Sequence, residues 1–244
     1  MAQVDGAWRR FEDELARREP VFWWRDDDAA KPSAALERLL SLSAASRVPL
    51  ALAVIPMQAG PSLFSLLGEK ISVLQHGCDH VNRAAPGDKK SEFPEAEDKT
   101  AALERLALGR ARFRELAGPR ALPVFVPPWN RFRQDLLGQL SAIGLRGLSG
   151  YGARRAAEAA PGLRQVNTHI DIVDWHHGRC FIGEERAFEL VMKYFPRDEP
   201  VGWLTHHAVH DGAAWEFLAR LFTVRGARWA SAEELFSYTR PAHG

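Results

Sequence analysis

Strand-like and helix-like segments alternate seven or eight times along this 244-residue chain, which constrains its fold more than any other feature. Short apolar runs, such as residues 21–25, 50–55 and 71–75, are typical of buried strands, and residues 98–117 are typical of a long helix. This alternation favours either a parallel barrel or a doubly wound open sheet. The length suits one large α/β domain.

Candidate functional residues lie just after five of the predicted strands, at Asp26–Asp27, His76, residues 127–129, Asp171 and His206. The carboxyl ends of the strands share one rim in a closed parallel barrel, and that rim carries the chemistry. In an open sheet the same ends would be spread along a line, and fewer of these side chains could meet. The five clusters therefore favour a single-domain, TIM-barrel-like α/β fold.

Three consecutive aspartates, residues 26–28, follow the first apolar run. Because adjacent carboxylates repel one another, we expect a cation near this cluster. A second segment, HGCDH at residues 76–80, follows another apolar run. One of the carboxylates with His76 and His80 would make a two-histidine, one-carboxylate metal site. This combination points to metal-assisted hydrolysis.

The order of the motifs resembles that of the polysaccharide deacetylase family, also called carbohydrate esterase family 4 or the NodB homology domain, over residues 21–236. Five segments resemble the five motifs of the family, in the same order. WRDDDA, from residue 24, resembles Thr-Phe-Asp-Asp-Gly-Pro; HGCDH, from residue 76, resembles His-Ser/Thr-x-x-His; and FVPPWN, from residue 125, resembles Phe-Arg-Pro-Pro-Tyr-Gly. DIVDW, from residue 171, resembles Asp-x-x-Asp-Trp, and LTH, from residue 204, resembles Leu-Leu-His. The resemblance implies a distorted (β/α)7-type barrel. We expect residues 21–240 to form the catalytic barrel, with a helix in residues 1–20 packed on it.

By this resemblance, Asp26 is the general base, and Asp27, His76 and His80 hold a divalent metal. Imidazole and carboxylate ligands suit zinc, and also cobalt, nickel, manganese or ferrous iron. Asp28 is the alternative base, because it lies on the same side of an ideal strand as Asp26.

The resemblance also assigns the groups that act on the carbonyl and on the leaving amine. It implies that the backbone N–H of Trp129 donates to the oxyanion, and that His206, tuned by Asp171, is the general acid. His207 is the alternative acid, since adjacent strand residues face opposite sides.

One departure from the family pattern concerns the arginine of the third motif, which orients the base and is replaced here by Val126. Arg25 or Arg131 could supply the missing cation. We expect Arg131 to do so, because Arg25 immediately precedes Asp26 and should face away from it along the strand.

These features predict a metal-dependent hydrolase of C–N bonds that deacetylates an N-acetylated sugar or a short glycan. Two alternatives remain open: hydrolysis of another linear or cyclic amide or ureide, and a non-catalytic carbohydrate-binding barrel. The net charge of +1 gives no reason to expect nucleic acid or a membrane as partner. The N-terminal residues lack a signal-peptide pattern, which favours a cytoplasmic protein.

Overall fold

The apolar runs of the sequence form the strands of one mostly parallel sheet, with helices packed around it. The computed structural model describes residues 2–68 and 70–237. The predicted end of the barrel at residue 240 lies outside these described residues.

Seven α-helices and four 3-10 helices are present in the described residues. The α-helices are α1 (Ala2–Arg18), α2 (Ala34–Ser46), α3 (Pro61–Leu66), α4 (Lys99–Ala117), α5 (Glu184–Tyr194), α6 (Gly212–Leu221) and α7 (Ala232–Leu235). The 3-10 helices are Gly118–Arg120, Pro128–Asn130, Gln134–Ile143 and His207–Val209. Within residues 2–68 and 70–237, no helix is both long enough and apolar enough to cross a membrane.

Twelve strands are present in the same residues. They are β1 (Val21–Ala29), β2 (Leu50–Val54), β3 (Ser72–His76), β4 (Ala121–Val126), β5 (Gly147–Leu148), β6 (Glu158–Ala160), β7 (Leu163–Gln165), β8 (Ile170–Asp171), β9 (Val173–Asp174), β10 (Cys180–Phe181), β11 (Val201–Thr205) and β12 (Arg228–Trp229).

The main sheet has the order β6-β7-β5-β4-β3-β2-β1-β11-β8, and β12 pairs with β1. All of its ladders are parallel except that between β6 and β7. The carboxyl ends of the parallel strands therefore lie on one side of the sheet, as the sequence predicts.

The helix predicted at residues 6–18 lies within α1, and its apolar face is buried. Trp8, Phe11 and Leu15 are almost fully buried. The ring of Phe11 stacks on Phe188 of α5 with centroids 4.2 Å apart, and the Trp8 ring meets Phe188 edge-on at 4.8 Å. The apolar face of α1 therefore packs against α5 on the outside of the sheet.

A break in the β1–β2 ladder determines how the three aspartates are presented. Asp26 pairs with Leu52 and Ala29 with Val54, so the register shifts between these two pairs. Asp28 has a φ of 69°, in the left-handed region, which aspartate tolerates better than most residues. The irregularity is a bulge that ends the strict alternation of side chains along β1.

Two predicted segments differ in detail from the structure. The predicted strand at residues 163–170 is divided into β7 and β8. The predicted surface loop at residues 83–97 forms neither helix nor strand, but its Ser91, Glu92 and Phe93 are buried. Part of this loop therefore belongs to the interior of the protein.

Candidate active site

A cavity of about 980 Å³ opens at the carboxyl ends of the parallel strands. Asp27 and Asp28 from β1, His76 from β3, Asp171 from β8 and His206 after β11 all line it. The prediction that these separate segments meet at one rim is therefore confirmed.

Asp28, His76 and His80 form a cluster suited to a metal ion. Oδ1 of Asp28 lies 3.1 Å from Nε2 of His76 and 3.2 Å from Nε2 of His80. One ligand atom from each residue lies within 4.8 Å of those of the other two. This is a two-histidine, one-carboxylate donor set, so the residues present fit a divalent transition metal.

The backbone fixes the orientation of His76. Its Nδ1 is 3.0 Å from the carbonyl oxygen of Val126. A proton on Nδ1 donates to this carbonyl, so Nε2, which faces Asp28, is the nitrogen that a metal would bind, an arrangement typical of metal-binding histidines. Burial opposes ionisation of Asp28, but the imidazoles of His76 and His80 outweigh it and hold the pKa of the carboxyl well below its ordinary value.

Asp27 is not part of this cluster, which corrects the ligand assignment made from the sequence. Its Oδ1 accepts from Nε of Arg25 at 2.8 Å, and its Oδ2 accepts from Nη2 of Arg25 at 2.9 Å. Arg25 and Asp27 are two residues apart on β1 and therefore face the same side of the strand. The bulge after Asp26 then brings Asp28 into the same cavity.

The Arg25 side chain is fully buried and held by several further acceptors. Its Nη1 donates to the carbonyl and hydroxyl oxygens of Ser149 at 2.9 and 2.6 Å, and to the carbonyl of Gly150 at 3.2 Å. Its Nη2 also donates to Oδ1 of Asn130 at 3.0 Å. The guanidinium is thus fixed on all sides and presents a rigid fork to Asp27.

Asp26 occupies a different environment from the other two aspartates. Its side chain is fully buried and does not line the cavity. Its Oδ1 is 2.5 Å from Nδ1 of His207, and its Oδ2 accepts from the Thr205 hydroxyl at 2.7 Å and from the His207 backbone N–H at 3.0 Å. The assignment of Asp26 as base does not fit this placement, because the carboxylate is enclosed within a hydrogen-bond network beneath the cavity.

Arg131 does not reach Asp26, contrary to the expectation from the sequence. The Arg131 side chain is exposed, and its Nη1 donates to the backbone carbonyl of Lys90 at 3.1 Å. The cation beside the aspartates is instead Arg25, which pairs with Asp27. Arg25 does face away from Asp26, as predicted, and its guanidinium reaches Asp27, two residues further along the strand.

His206 and Asp171 lie together on the cavity wall, as the sequence predicts. Nδ1 of His206 is 3.6 Å from Oδ1 of Asp171. The indole N–H of Trp175 donates to Oδ2 of Asp171 at 2.7 Å, and the Trp175 ring meets the His206 ring edge-on at 4.7 Å. Burial disfavours the charged imidazole, but Asp171 outweighs it and raises the pKa of His206 to about 9.

The two adjacent histidines are separated by their orientations. His206 lines the cavity, whereas His207 is almost fully buried against Asp26. The backbone N–H of His206 donates to Nε2 of His210 at 3.2 Å. Burial lowers the pKa of His210 to about 4, so this ring is neutral at ordinary pH and keeps the lone pair that accepts the bond.

Glu92 holds the turn that carries His80. Its Oε1 accepts from the backbone N–H groups of Cys78 and Asp79 at 2.9 and 3.0 Å, and its Oε2 accepts from that of His80 at 3.3 Å. His80 has a φ of 59°, and the turn begins at Gly77, where a Cβ would lie only 2.0 Å from Oε2 of Glu92. The buried carboxylate therefore replaces the missing backbone partners of a strained turn.

Trp129 forms the wall of the cavity next to the metal-site cluster. Its ring lies against that of His80, with centroids 4.3 Å apart. Both Trp129 and Asn130 have a φ of 55°, in the left-handed region. The role of the Trp129 backbone N–H as an oxyanion donor remains a prediction.

Three features of the site were not predicted from the sequence: Asp28 as the carboxylate of the cluster, Arg25 as the partner of Asp27, and Glu92 beneath the His80 turn. The i, i+2 spacing of Arg25 and Asp27 on a strand was the one available signal for their pairing. Glu92 gave no such signal, because its contacts join segments 12 to 14 residues apart through backbone N–H groups.

Solved structures with the same fold include carbohydrate deacetylases and esterases. Peptidoglycan N-acetylglucosamine deacetylase Bc1960 aligns with a TM-score of 0.57 at 14% identity, over 92% of this chain and 91% of that one. A family 4 acetyl xylan esterase from Clostridium thermocellum, in complex with a cobalt ion, aligns with a TM-score of 0.56 at 14% identity, over 89% and 90%. A mutant of BA3943, a CE4-family pseudoenzyme with restored enzymatic activity, aligns with a TM-score of 0.57 at 12% identity, over 93% and 70%.

No family model matches the sequence, and no curated protein matches it. At 12 to 14% identity the likeness concerns the fold. The chain therefore has the α/β fold of the carbohydrate esterase family 4 structures, as the resemblance of its motifs implies.

Proposed function

We propose that this chain is a divergent member of carbohydrate esterase family 4 and a metal-dependent hydrolase that removes acetyl groups from an N-acetylated sugar or short glycan. The observation that carries the proposal is the arrangement of three groups around one cavity: the Asp28, His76 and His80 cluster, the carboxylate of Asp27, and the His206–Asp171 pair. Hydrolysis of an amide needs a place for a Lewis acid, a base for water and an acid for the leaving amine.

Asp28, His76 and His80 would hold the metal, with zinc as our first choice because three nitrogen and oxygen ligands leave a position open for catalysis. A bound divalent ion polarises a carbonyl and lowers the pKa of water. His76 is oriented for this by the Val126 carbonyl, and His80 by the turn held by Glu92.

Asp27 would act as the general base. Moving the alignment with the first family motif by one residue places Asp27 opposite the base of the family and Asp28 opposite its metal ligand. Arg25 then supplies the cation that the family carries at the position of Val126. The bidentate pair fixes the Asp27 carboxylate, while the cavity leaves it accessible to a water molecule.

His206 would donate a proton to the departing amine, which is too basic to leave as an anion. Asp171 favours the protonated imidazole, and the indole N–H of Trp175 fixes Asp171 from the other side. His210 fixes the backbone of His206 by accepting its N–H. The acid therefore remains protonated at neutral pH and keeps its position.

The Arg25–Asp27 pair bears on the alternative of a non-catalytic carbohydrate-binding barrel. That alternative depended on the absence of an arginine at position 126, since an unsupported base would favour lost activity. A fully buried arginine at position 25 now supports a carboxylate in the cavity, and this favours an enzyme.

Metal content and acetate release from N-acetylated sugars together test the proposal. The wild-type protein, loaded with zinc and dialysed, should retain about one equivalent and release acetate. Asp28→Asn should lose most of the metal, whereas the matched variant Asp27→Asn should retain it and lose about two to four decades of rate, the usual loss for a general base. Metal retained in Asp28→Asn but lost in Asp27→Asn would contradict the assignment, and absence of turnover by metal-loaded wild type on every acetylated compound would contradict the function.

A further inference from the structure

The charges around the cavity are divided between its floor and its rim. On the floor, Asp27 is paired with Arg25, Asp28 contacts two histidines, and Asp171 contacts His206 and the Trp175 indole. Each of these acidic side chains therefore already contacts a nitrogen group within the floor.

The rim carries four exposed cations, Lys90, Arg131, Arg179 and Arg186. The acidic residue on this part of the wall, Asp174, is paired with His177 at 2.9 Å. The opening of the cavity is thus positively charged, although the net charge of the whole protein is only +1. Such a local concentration of one sign raises the affinity for ligands of the opposite sign.

Arg131 and Lys90 stand out among these cations. Arg186 pairs with Glu189 at 3.3 Å, whereas within residues 2–68 and 70–237 no ion pair within 4.0 Å forms at Lys90, Arg131 or Arg179. The bond from Nη1 of Arg131 to the Lys90 carbonyl holds the two residues side by side. Arg131 lies two residues after Trp129, whose ring packs on His80, and both Arg131 and Lys90 line the same cavity as His80.

We propose that the substrate is an acetylated saccharide that bears an anionic group, either a phosphate ester or a carboxylate, and that Arg131 and Lys90 bind this group. The inference rests on the proposed function and narrows its substrate class. Arginine binds such anions through its planar fork, and lysine adds a mobile point charge. The acetamido group then lies toward the floor, where Asp27, Asp28 and His206 are located.

Binding to zinc-loaded protein tests this inference independently of turnover. Calorimetry should show that N-acetylglucosamine 1-phosphate or N-acetylmuramic acid binds about tenfold more tightly than neutral N-acetylglucosamine, as expected for two exposed charge contacts. The difference should shrink at high salt because exposed charges are screened. Which of the two anions binds more tightly distinguishes a phosphate from a carboxylate.

Two double variants with the same change in charge locate the contact. Arg131→Gln with Lys90→Gln should remove about tenfold of the affinity for the preferred anion and little of that for neutral N-acetylglucosamine. The comparison pair, Arg179→Gln with Arg186→Gln, removes the other two cations of the rim and should reduce the preference less than the first pair does, because neither residue is proposed to contact the anion.

Three results would overturn the proposal. The first is that the wild-type protein binds anionic and neutral sugars with equal affinity. The second is that the Arg131→Gln, Lys90→Gln variant loses as much affinity for the neutral sugar as for the anionic one. The third is that only the Arg179→Gln, Arg186→Gln variant loses the preference for the anionic sugar. Absence of acetate release with the preference for anions intact would instead count against the proposed function.

Discussion

Arg25 and Asp27, two residues apart on the first strand, form a buried bidentate ion pair, with the two nitrogen–oxygen distances at 2.8 and 2.9 Å. The pair joins the interior of the sheet to the cavity, since Arg25 is also anchored to Ser149 and Asn130. It places the cation and the carboxylate on the same element. The site therefore needs no arginine on β4, where Val126 lies.

The geometry of this pair predicts that Arg25→Lys lowers kcat about 10- to 100-fold, because a lysine keeps the charge but loses the fork that fixes Asp27. Steady-state kinetics and metal analysis of the zinc-loaded variant would measure the effect. Metal content should be unchanged, since Asp28, His76 and His80 are intact. Arg146→Lys changes an exposed arginine that does not line the cavity and serves as the control. An unchanged kcat in Arg25→Lys would show that the fork does not position the base.

Asp26 should matter for folding rather than for metal binding. Asp26→Asn breaks a fully buried network with His207 and Thr205, and we expect a loss of about 3–5 kcal/mol in the free energy of unfolding. Urea denaturation would measure it, with the exposed Asp88→Asn as a control that should stay within about 0.5 kcal/mol of the wild type. A fully stable Asp26→Asn that has lost only its activity would instead restore Asp26 as the base.

Glu92 should control metal affinity from outside the ligand set. Glu92→Gln replaces one acceptor oxygen with an amide group that faces a backbone N–H of the His80 turn, so the turn should relax and metal binding should weaken about 10- to 100-fold. Competition with a chelator would give the dissociation constant. Glu95→Gln changes an exposed residue of the same loop and should have no effect. Equal affinities in the two variants would mean that His80 needs no such support.

The Asp171–His206 pair should stabilise the metal-free protein in a pH-dependent way. The pKa of His206 is raised to about 9, so the folded state binds its proton more tightly than the unfolded state, where histidine has a pKa of about 6.5. The contribution is therefore complete below about pH 6.5 and is lost as the pH rises through about 9.

A double-mutant cycle of Asp171→Asn and His206→Gln, analysed by denaturation at pH 6 and pH 10, measures this coupling directly. We expect a favourable coupling energy at pH 6 and a much smaller one at pH 10. A coupling that grows with pH would have the wrong sign and would remove the argument that Asp171 keeps the acid protonated.

The sequence by itself determined where the strands lie along the chain and which candidate functional residues lie at their carboxyl ends. Alternating apolar and amphipathic segments dictate parallel strands, and the carboxyl ends of such strands meet on one side. His76, His80, Asp171 and His206 could therefore be assigned to one cavity before any contact was known. Local spacing was sufficient because each of these residues lies at the carboxyl end of a strand or within four residues of it.

Only the tertiary structure decided what each of the three aspartates does. Ideal alternation places Asp26 and Asp28 on one face, but the bulge against β2 and the left-handed backbone at Asp28 break that period. A bulge depends on how two strands pair, which a single strand does not encode. The buried support from Glu92 likewise depends on a loop folding back over a distant turn. The chemistry of the site thus follows from local sequence, whereas the role of each carboxylate follows from packing between segments.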